Sequence, residues 1–231
     1  MRFATRTAPA NPVRVAAATR SAADVNCRGG DVFDAFTGVD GAVWVLIADV
    51  SAKGTLGVLH AEMVRSAFRA AIRVGAEPAQ VIAQLNRIRF DVPRRDLQAH
   101  FASAFVARID TGGPQLTYAS AGHDIALLFG RGTHRHLEPT EPLLGIVPEF
   151  GGTTKALPFE TTGLLVLGTD GITEARCAVE PAFEFGTTGL VSAVRQAGAV
   201  RSKADYVARC TDSFTQKHYH DDTTIAVIER L

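Results

Sequence analysis

The feature that most constrains the fold is a run of short apolar segments with strand character between residues 101 and 130. FASAFVARI (101–109), QLTYAS (115–120) and IALLFG (125–130) are separated by turn residues. Residues 110–113, Asp-Thr-Gly-Gly, are typical of a hairpin because Asp and Gly dominate tight turns. Strands that follow one another through hairpins pair antiparallel, so this stretch predicts antiparallel sheet rather than a parallel array with alternating helices.

The residues between 55 and 91 have helical rather than strand periodicity. Within residues 55–74, apolar side chains recur three or four positions apart and predict one amphipathic helix. We expect its apolar stripe to consist of Leu56, Leu59, Met63, Ala67 and Ala71, with Val64, Phe68 and Ile72 beside them. Glu62, Arg65, Arg69 and Arg73 fall on the opposite side. Pro78 suits the first turn of a second helix.

The rest of the chain completes a mixed pattern. Further strands are predicted at 13–20, 43–47, 153–159, 164–169 and 223–230, and further helices near 187–198 and 202–217. The dipeptide Asp40-Gly41 indicates a hairpin turn. Clustered strands interrupted by helix pairs indicate an α+β fold with helices packed outside antiparallel sheets. With 231 residues and no linker-like segment, we expect a flexible arm at 1–11 and a single domain at 12–231.

Composition excludes several classes of partner and location. The formal net charge is zero, so nothing favours nucleic acid or an anionic membrane as partner. No segment approaches the length of a membrane span, and the N-terminus lacks the apolar run of a secretory signal. Cys27, Cys177 and Cys210 match neither a zinc site nor a disulfide framework. We therefore expect a cytoplasmic protein with reduced thiols.

Acidic residues stand at the ends of predicted strands in four places. These are Asp31 after Gly29-Gly30, Asp49 at the end of a strand, Asp170 before a glycine, and the pair Asp221-Asp222 before the last strand. Several converging carboxylates would repel one another unless a cation lay between them, and oxygen ligands suit Mg²⁺ or Mn²⁺. Each site alone is also compatible with an ordinary turn or cap, so spacing by itself leaves both interpretations open.

Five ordered segments together resemble the SpoIIE-type and RsbU-type phosphatase domain, part of the metal-dependent (PPM, type 2C-like) protein phosphatases. The segments are GGDVFDAF (29–36), VLIADVSAKG (45–54), ASAGH (119–123), LGTDGITEA (167–175) and DDTTIAVIE (221–229). The resemblance covers nearly the whole chain, roughly residues 13–230. It implies a four-layer sandwich of two antiparallel sheets flanked on both faces by helices. It also implies a serine/threonine phosphatase that uses two Mn²⁺ or Mg²⁺ ions.

The resemblance also assigns roles to individual residues. Asp49 matches the acid that bridges both metal ions, and the carbonyl of Val50 is expected to be a ligand beside it. Asp170 and Asp221 match acids that complete the cluster, and Asp31 matches an acid that binds metal directly or through water. Asp49 and Asp170 are thus the expected catalytic residues. Asp222 remains the alternative to Asp221.

This chain departs from the family pattern at several positions. The family's GDVSGKG reads ADVSAKG here, so Ala48 and Ala52 replace glycines, and the backbone at Ala52 must have an ordinary φ. Arg28 precedes the glycine turn, where it either binds phosphate or is simply exposed. His123 either positions groups near the cleft, acts as an acid, or makes a structural hydrogen bond in its turn. No leaving-group acid is identified.

Function follows from the resemblance, with two alternatives. The expected activity is hydrolysis of phosphoserine or phosphothreonine in a protein, in this family commonly a phosphorylated anti-anti-sigma factor. The alternatives are a catalytically inactive module that binds a phosphoprotein, and an esterase for small phosphate compounds. The charged edge of the helix at 55–74 is either solvated or a docking surface for a regulatory partner or a second copy of the chain.

Overall fold

The computed structural model describes residues 12–22, 24, 29–91 and 101–231. The expected arm at 1–11 lies outside these ranges, as do Cys27 and Arg28. The strands are β1 Val13–Arg20, β2 Asp31–Thr37, β3 Val43–Val50, β4 Ala102–Ile109, β5 Gln115–Ala121, β6 Ala126–Gly130, β7 Thr133–His136, β8 Lys155–Pro158, β9 Leu164–Gly168 and β10 Thr223–Arg230. The helices are α1 Gly54–Arg73, α2 Pro78–Phe90, α3 Asp170–Thr173, α4 Gly186–Gln196 and α5 Lys203–Thr215.

The described strands form two antiparallel five-stranded sheets. The first sheet has the order β1-β10-β9-β6-β7, and the second has the order β2-β3-β4-β5-β8. The predicted hairpins are confirmed: Gly38 N donates to Ala42 O at 2.9 Å between β2 and β3, and Asp110 N donates to Gln115 O at 3.0 Å between β4 and β5. Every strand pairing in both sheets is antiparallel, as the clustering of strands predicts.

Three apolar layers hold the sandwich together. The inner layer lies between the sheets and includes Ile47, Phe105 and Leu167. A second layer packs α1 and α2 on the outer face of the second sheet, and a third packs α4 and α5 on the outer face of the first sheet. The four-layer α+β sandwich is therefore confirmed. Long apolar runs such as β3 are buried on both faces, which explains why they do not alternate with polar residues.

The position of α1 was predicted to within one residue, but part of its apolar stripe was predicted wrongly. Ala67, Ala71, Val64, Phe68 and Ile72 are buried, whereas Leu56, Leu59 and Met63 are exposed. The reason is a close backbone contact at Gly57, where an added Cβ would lie 2.3 Å from the carbonyl oxygen of Ala52. That contact turns Gly57, His60 and Ala61 toward the sheet, and it leaves the larger side chains one position away facing outward.

Among the described residues no helix is long and apolar enough to cross a membrane. Cys177 and Cys210 are half-buried free thiols. The division of the chain into an arm and one domain remains a prediction.

Candidate functional site

Asp31 and Asp49 lie directly opposite each other on neighbouring strands. Asp31 opens β2, Asp49 lies near the end of β3, and the register pairs their Cα atoms. Residues so paired have Cβ atoms about 5 Å apart on one face of the sheet, and like charges there repel. Burial raises the pKa of Asp49 to about 8, with Asp31 and Asp170 adding to the rise. Burial raises the pKa of Asp31 to about 7, although hydrogen bonds from Thr224 and Thr169 oppose it.

Gly30 packs closely against Val50 and Asp49. Its φ of +123° is one that only glycine adopts readily. An added Cβ would lie 2.6 Å from the carbonyl oxygen of Val50 and 3.3 Å from Asp49 Oδ1. Asp49 Oδ1 is buried and has no hydrogen-bond partner. Buried carboxylate oxygens are normally paired, so this unpaired one is available to a ligand.

Asp170 enters the site from the other sheet. It follows β9 and opens the short helix α3, where Thr169 precedes it. The Thr169 hydroxyl donates to Asp31 Oδ2 at 2.8 Å and accepts from the backbone N–H of Thr224 at 2.9 Å, so it joins the two sheets at this point. Asp170 is exposed at the rim, yet the surrounding protein desolvates its carboxyl enough to raise its pKa, and Asp221 raises it further.

The adjacent acids Asp221 and Asp222 have different environments. Asp222 is buried, and its carboxylate accepts from the backbone N–H groups of Ala22 at 2.9 Å and Gly29 at 2.6 Å. Asp221 is part-exposed and pairs with Lys53, whose Nζ lies 2.6 Å from Oδ1 and 2.7 Å from Oδ2. Asp222 therefore uses its carboxylate on the backbone N–H groups of Ala22 and Gly29, whereas the charge of Asp221 is among the causes that raise the pKa of both Asp49 and Asp170.

The described residues contain no three acidic, histidine or cysteine side chains arranged as a ready-made metal cluster. Three of the acids instead have protein partners: Lys53 pairs with Asp221, Thr169 donates to Asp31, and backbone N–H groups donate to Asp222. The donor set nevertheless fits a hard divalent cation. It consists of carboxylate and carbonyl oxygens, its acids raise one another's pKa, and the oxygen at Asp49 Oδ1 lacks a partner.

A cleft of about 270 Å³ opens beside the acids. Asp49 and Asp170 line one side, Ser51, Ser103 and His123 contribute polar groups, and Phe101, Ile125 and Leu143 contribute apolar surface. His123 is 2% exposed, and its Nδ1 lies 2.8 Å from Ser103 Oγ. Burial lowers the pKa of His123 to about 4, so its imidazole is neutral near pH 7 and is not a source of a cationic proton.

Sequence reasoning missed three polar residues at this site. Lys53 follows the Asp49 motif without any local pattern to link it to Asp221, against which it lies. Ser103 can be recognised as a site residue only from the strand register, which places it opposite Asp49. Thr169 immediately precedes Asp170, and a hydroxyl next to a strand-end acid was the available signal. The backbone at Ala52 has an ordinary φ, as that substitution requires.

The family model described as Stage II sporulation protein E (SpoIIE) matches residues 39–231. The phosphoserine phosphatase RsbU of Bacillus subtilis (strain 168) is 29% identical over 191 residues, which cover 80% of this chain and 55% of RsbU. This chain therefore spans about half of the length of that relative.

Solved structures share the fold at low sequence identity. The SiaA-PP2C domain of Pseudomonas aeruginosa superposes with a TM-score of 0.78 and 17% identity, over 94% of this chain and 85% of that one. RsbX in complex with magnesium superposes with a TM-score of 0.69 and 16% identity, over 94% of each chain. The fold is thus that of PP2C-type domains. Since the family model matches most of the sequence and the sandwich agrees with it, this chain belongs to the SpoIIE family.

Proposed function

We propose that this chain hydrolyses phosphoserine or phosphothreonine in a protein substrate with the help of two bound Mn²⁺ or Mg²⁺ ions. The ions would be held by Asp31, Asp49, the Val50 carbonyl, Asp170 and Asp221. Membership of the SpoIIE family and the similarity to the phosphoserine phosphatase RsbU support the reaction class. The complex of RsbX with magnesium supports the choice of a hard divalent cation.

One observation carries the proposal: Asp49 Oδ1 is buried without a partner, beside the close backbone approach of Gly30 to the Val50 carbonyl oxygen. An oxygen atom in this state costs stability unless something binds it. Asp31 directly opposite and Asp170 nearby make another carboxylate a poor occupant, and a neutral donor would leave the repulsion between these acids uncompensated. A cation would offset the repulsion between the acids and would also bind the unpaired oxygen atom.

The chain's own residues have distinct roles in this scheme. Asp49 lies between Asp31 on its own sheet and Asp170 on the other sheet, so it is suited to bridge two cation positions. The Val50 carbonyl and Asp221 would be further ligands of the two ions. When bound, such a pair of ions supplies a water of lowered pKa and neutralises charge on the phosphoryl oxygens. The cleft beside Asp49 and Asp170 orients the ester and shields it from bulk water.

The cleft suits a phosphorylated side chain on a protein. Its walls combine the apolar side chains of Phe101, Ile125 and Leu143 with the hydroxyl groups of Ser51 and Ser103. No lysine or arginine from the described residues lines it, so recognition of the phosphoryl group would depend on the bound ions. Following the family resemblance, we propose a phosphorylated anti-anti-sigma factor as the substrate.

The exposed edge of α1 is the proposed place for a regulatory partner or a second copy of the chain. Leu56, Val58, Leu59 and Met63 are 36%, 52%, 57% and 39% exposed, more apolar surface than a solvated helix needs. Lys53 immediately precedes this helix and pairs with Asp221. A partner that docks on α1 would therefore act on the metal site through Lys53 and Asp221.

The experiment is release of inorganic phosphate from a phosphorylated anti-anti-sigma factor by the purified chain. We expect turnover with Mn²⁺ or Mg²⁺, none with excess chelator, and a loss of at least about 10²-fold in Asp170→Asn, a few kcal/mol of transition-state stabilisation. Asp205→Asn, an exchange in the first turn of α5, is the control and should retain turnover.

Each alternative function predicts another result. Binding of the phosphoprotein without phosphate release would favour an inactive binding module. Faster turnover of nucleotides or other small phosphate esters than of the phosphoprotein would favour a small-molecule esterase. Turnover that persists in chelator would contradict the proposal.

A further inference from the structure

We propose that half-buried Ser103 and buried His123 form a positioning pair that keeps Asp49 available to metal and fixes its strand end relative to that of Asp170. This inference rests on the proposed metal site and adds two residues that would not touch the metal. It is carried by the strand register, one hydrogen bond and two buried atoms.

Ser103 lies next to Asp49 on the neighbouring strand. The register of β3 and β4 places the two residues directly opposite each other, so their side chains lie on the same face of the sheet. A serine hydroxyl opposite a carboxylate is well placed to donate to it. Here Ser103 Oγ instead lies 2.8 Å from His123 Nδ1, and Asp49 Oδ1 has no partner. His123 thus engages the hydroxyl that would otherwise satisfy Asp49.

The turn that carries His123 is rigid. Gly122 has a φ of +56°, and its N–H donates to the carbonyl of Glu141 at 3.0 Å. An added Cβ at Gly122 would lie 2.5 Å from Leu143 Cδ2, so the loop containing Leu143 packs directly on this turn. The imidazole is fully enclosed at 2% exposure. A ring held on all sides defines a fixed distance between the groups that it contacts.

His123 also contacts β9, the strand that leads to Asp170. The carbonyl of Gly168 lies near the ring and offsets part of the lowering of the His123 pKa that burial causes. His123 Nε2 is nevertheless buried without a hydrogen bond of ordinary geometry. Two residues further on, the Ile125 carbonyl accepts from Gly168 N at 3.0 Å. Residues 122–125 therefore touch Ser103 in the second sheet and Gly168 in the first.

The chemistry of the pair suits a site that needs cations. Burial keeps His123 neutral near pH 7, so it adds no positive charge that would compete with metal for the acids. Groups that orient metal ligands through hydrogen bonds affect metal affinity by about 10- to 100-fold. A pair acting through Asp49 and Gly168 should therefore alter metal affinity more than it alters folding.

The test compares two substitutions of His123 that retain different halves of the ring. Asparagine places a polar atom where Nδ1 lies and can still bond Ser103, whereas glutamine places one where Nε2 lies and cannot do so in the same way. The measurement is Mn²⁺ binding by isothermal titration calorimetry, together with the melting temperature in chelator. Wild type must bind Mn²⁺ for the comparison to apply, and its failure to do so would overturn the proposed function itself.

We expect His123→Asn to bind Mn²⁺ within about threefold of wild type and His123→Gln to bind about 10-fold more weakly. In a Ser103→Ala background the two variants should become equal. Ser103→Ala alone changes little volume and should fold normally, and it should bind Mn²⁺ within about threefold of wild type because it removes the hydroxyl that would otherwise satisfy Asp49. The control is His134→Gln on the exposed edge strand β7, which should bind as wild type does.

Equal Mn²⁺ affinity of His123→Asn and His123→Gln in the presence of Ser103 would overturn the inference, as would weak binding in His123→Gln that persists in the Ser103→Ala background. A lowered melting temperature with unchanged metal affinity would assign the pair a purely structural role and would equally overturn it.

Discussion

Lys53 Nζ lies 2.6 Å from Asp221 Oδ1, so the residue that precedes α1 holds an acid that we assign to the metal site. Burial by itself would lower the pKa of Lys53, but the hydrogen bond to Asp221 and the negative charge of Asp49 raise it above its ordinary value. An ammonium group in this place offsets the same negative charge that a metal ion would offset. Lys53 and a cation at Asp221 are therefore expected to compete.

The first prediction is that Lys53→Met tightens Mn²⁺ binding. Removal of the competing ammonium should strengthen the apparent affinity by about two- to fivefold, since part-exposed ion pairs contribute up to about 1 kcal/mol. Isothermal titration calorimetry measures this directly. Lys155→Met, a part-exposed lysine on β8, is the matched control and should leave the affinity unchanged. Weaker or unchanged binding in Lys53→Met would show that the lysine does not compete with metal.

The second prediction concerns the pH dependence of the metal-free protein. The folded-state pKa of Asp49 is about 8 and its ordinary value is 3.8, so folded protein binds more protons than unfolded protein between these values. Stability must then fall as pH rises through this range. We choose pH 6.5 to 8.5 because His123, with a pKa lowered to about 4, opposes the trend only below its ordinary value of 6.5.

In chelator, the melting temperature of wild type should therefore fall between pH 6.5 and 8.5. Asp49→Asn should have the higher melting temperature at pH 8.5 and a flatter profile, because its side chain carries no charge to bury. The same substitution should abolish the effect of added Mn²⁺ on stability. A wild-type profile that rises with pH in this window would contradict the burial and the repulsion by neighbouring acids that raise the pKa of Asp49.

The sequence was sufficient for the sandwich and for the acids, but not for the contacts between them. Strand-end carboxylates are visible in a sequence because Asp49 and Asp170 end apolar runs. Whether Asp221 or Asp222 faces the site depends on backbone N–H groups of Ala22 and Gly29, about 200 residues away in the chain. No local pattern encodes such a contact.

The same limit applies to strands with few apolar residues. Strand β7, with the sequence THRH, is fully exposed and has no apolar alternation, so only its pairing with β6 makes it a strand. Strand β2 was missed because its sequence was interpreted only as a motif. On α1, helical periodicity predicted the helix but could not reveal how closely Gly57 approaches Ala52.

The third prediction separates two arginines on α1. Arg69 makes two hydrogen bonds to Asp34, of 2.6 and 2.7 Å, and lies 5.1 Å from the centre of the Phe36 ring. Arg69→Met would leave the buried Asp34 carboxylate without its partner and should destabilise the protein by about 1–3 kcal/mol. Urea unfolding measures the free-energy change.

Arg65 provides the comparison for Arg69. Its ion pair with Glu62 lies on the helix surface at 3.2 Å, and Arg65→Met should change stability by no more than about 0.5 kcal/mol. Equal effects of the two substitutions would show that the bond between α1 and β2 through Asp34 contributes nothing particular.

The fourth prediction concerns the close packing of Gly30 against Val50. Gly30→Ala combines a backbone φ of +123° with an added carbon 2.6 Å from the Val50 carbonyl, so it should lose Mn²⁺ binding and stability together. Gly41→Ala is the matched control because Gly41 also has a positive φ, of +78°, but no atom lies within 4 Å of the added carbon. It should cost about 1 kcal/mol of stability and leave Mn²⁺ affinity unchanged. Mn²⁺ affinity preserved in Gly30→Ala would remove Val50 from the ligands.

The most direct test of the central claim is anomalous diffraction from crystals of the wild-type chain grown with Mn²⁺. We expect two peaks about 3.5–4 Å apart, with an Asp49 carboxylate oxygen bound to both and with Asp170 and Asp221 each bound to one. Lys53 should have moved away from Asp221 to make room. Ordered Mn²⁺ elsewhere on the molecule, with Asp49 Oδ1 still unbound, would contradict the assignment of this acid cluster as the catalytic metal site.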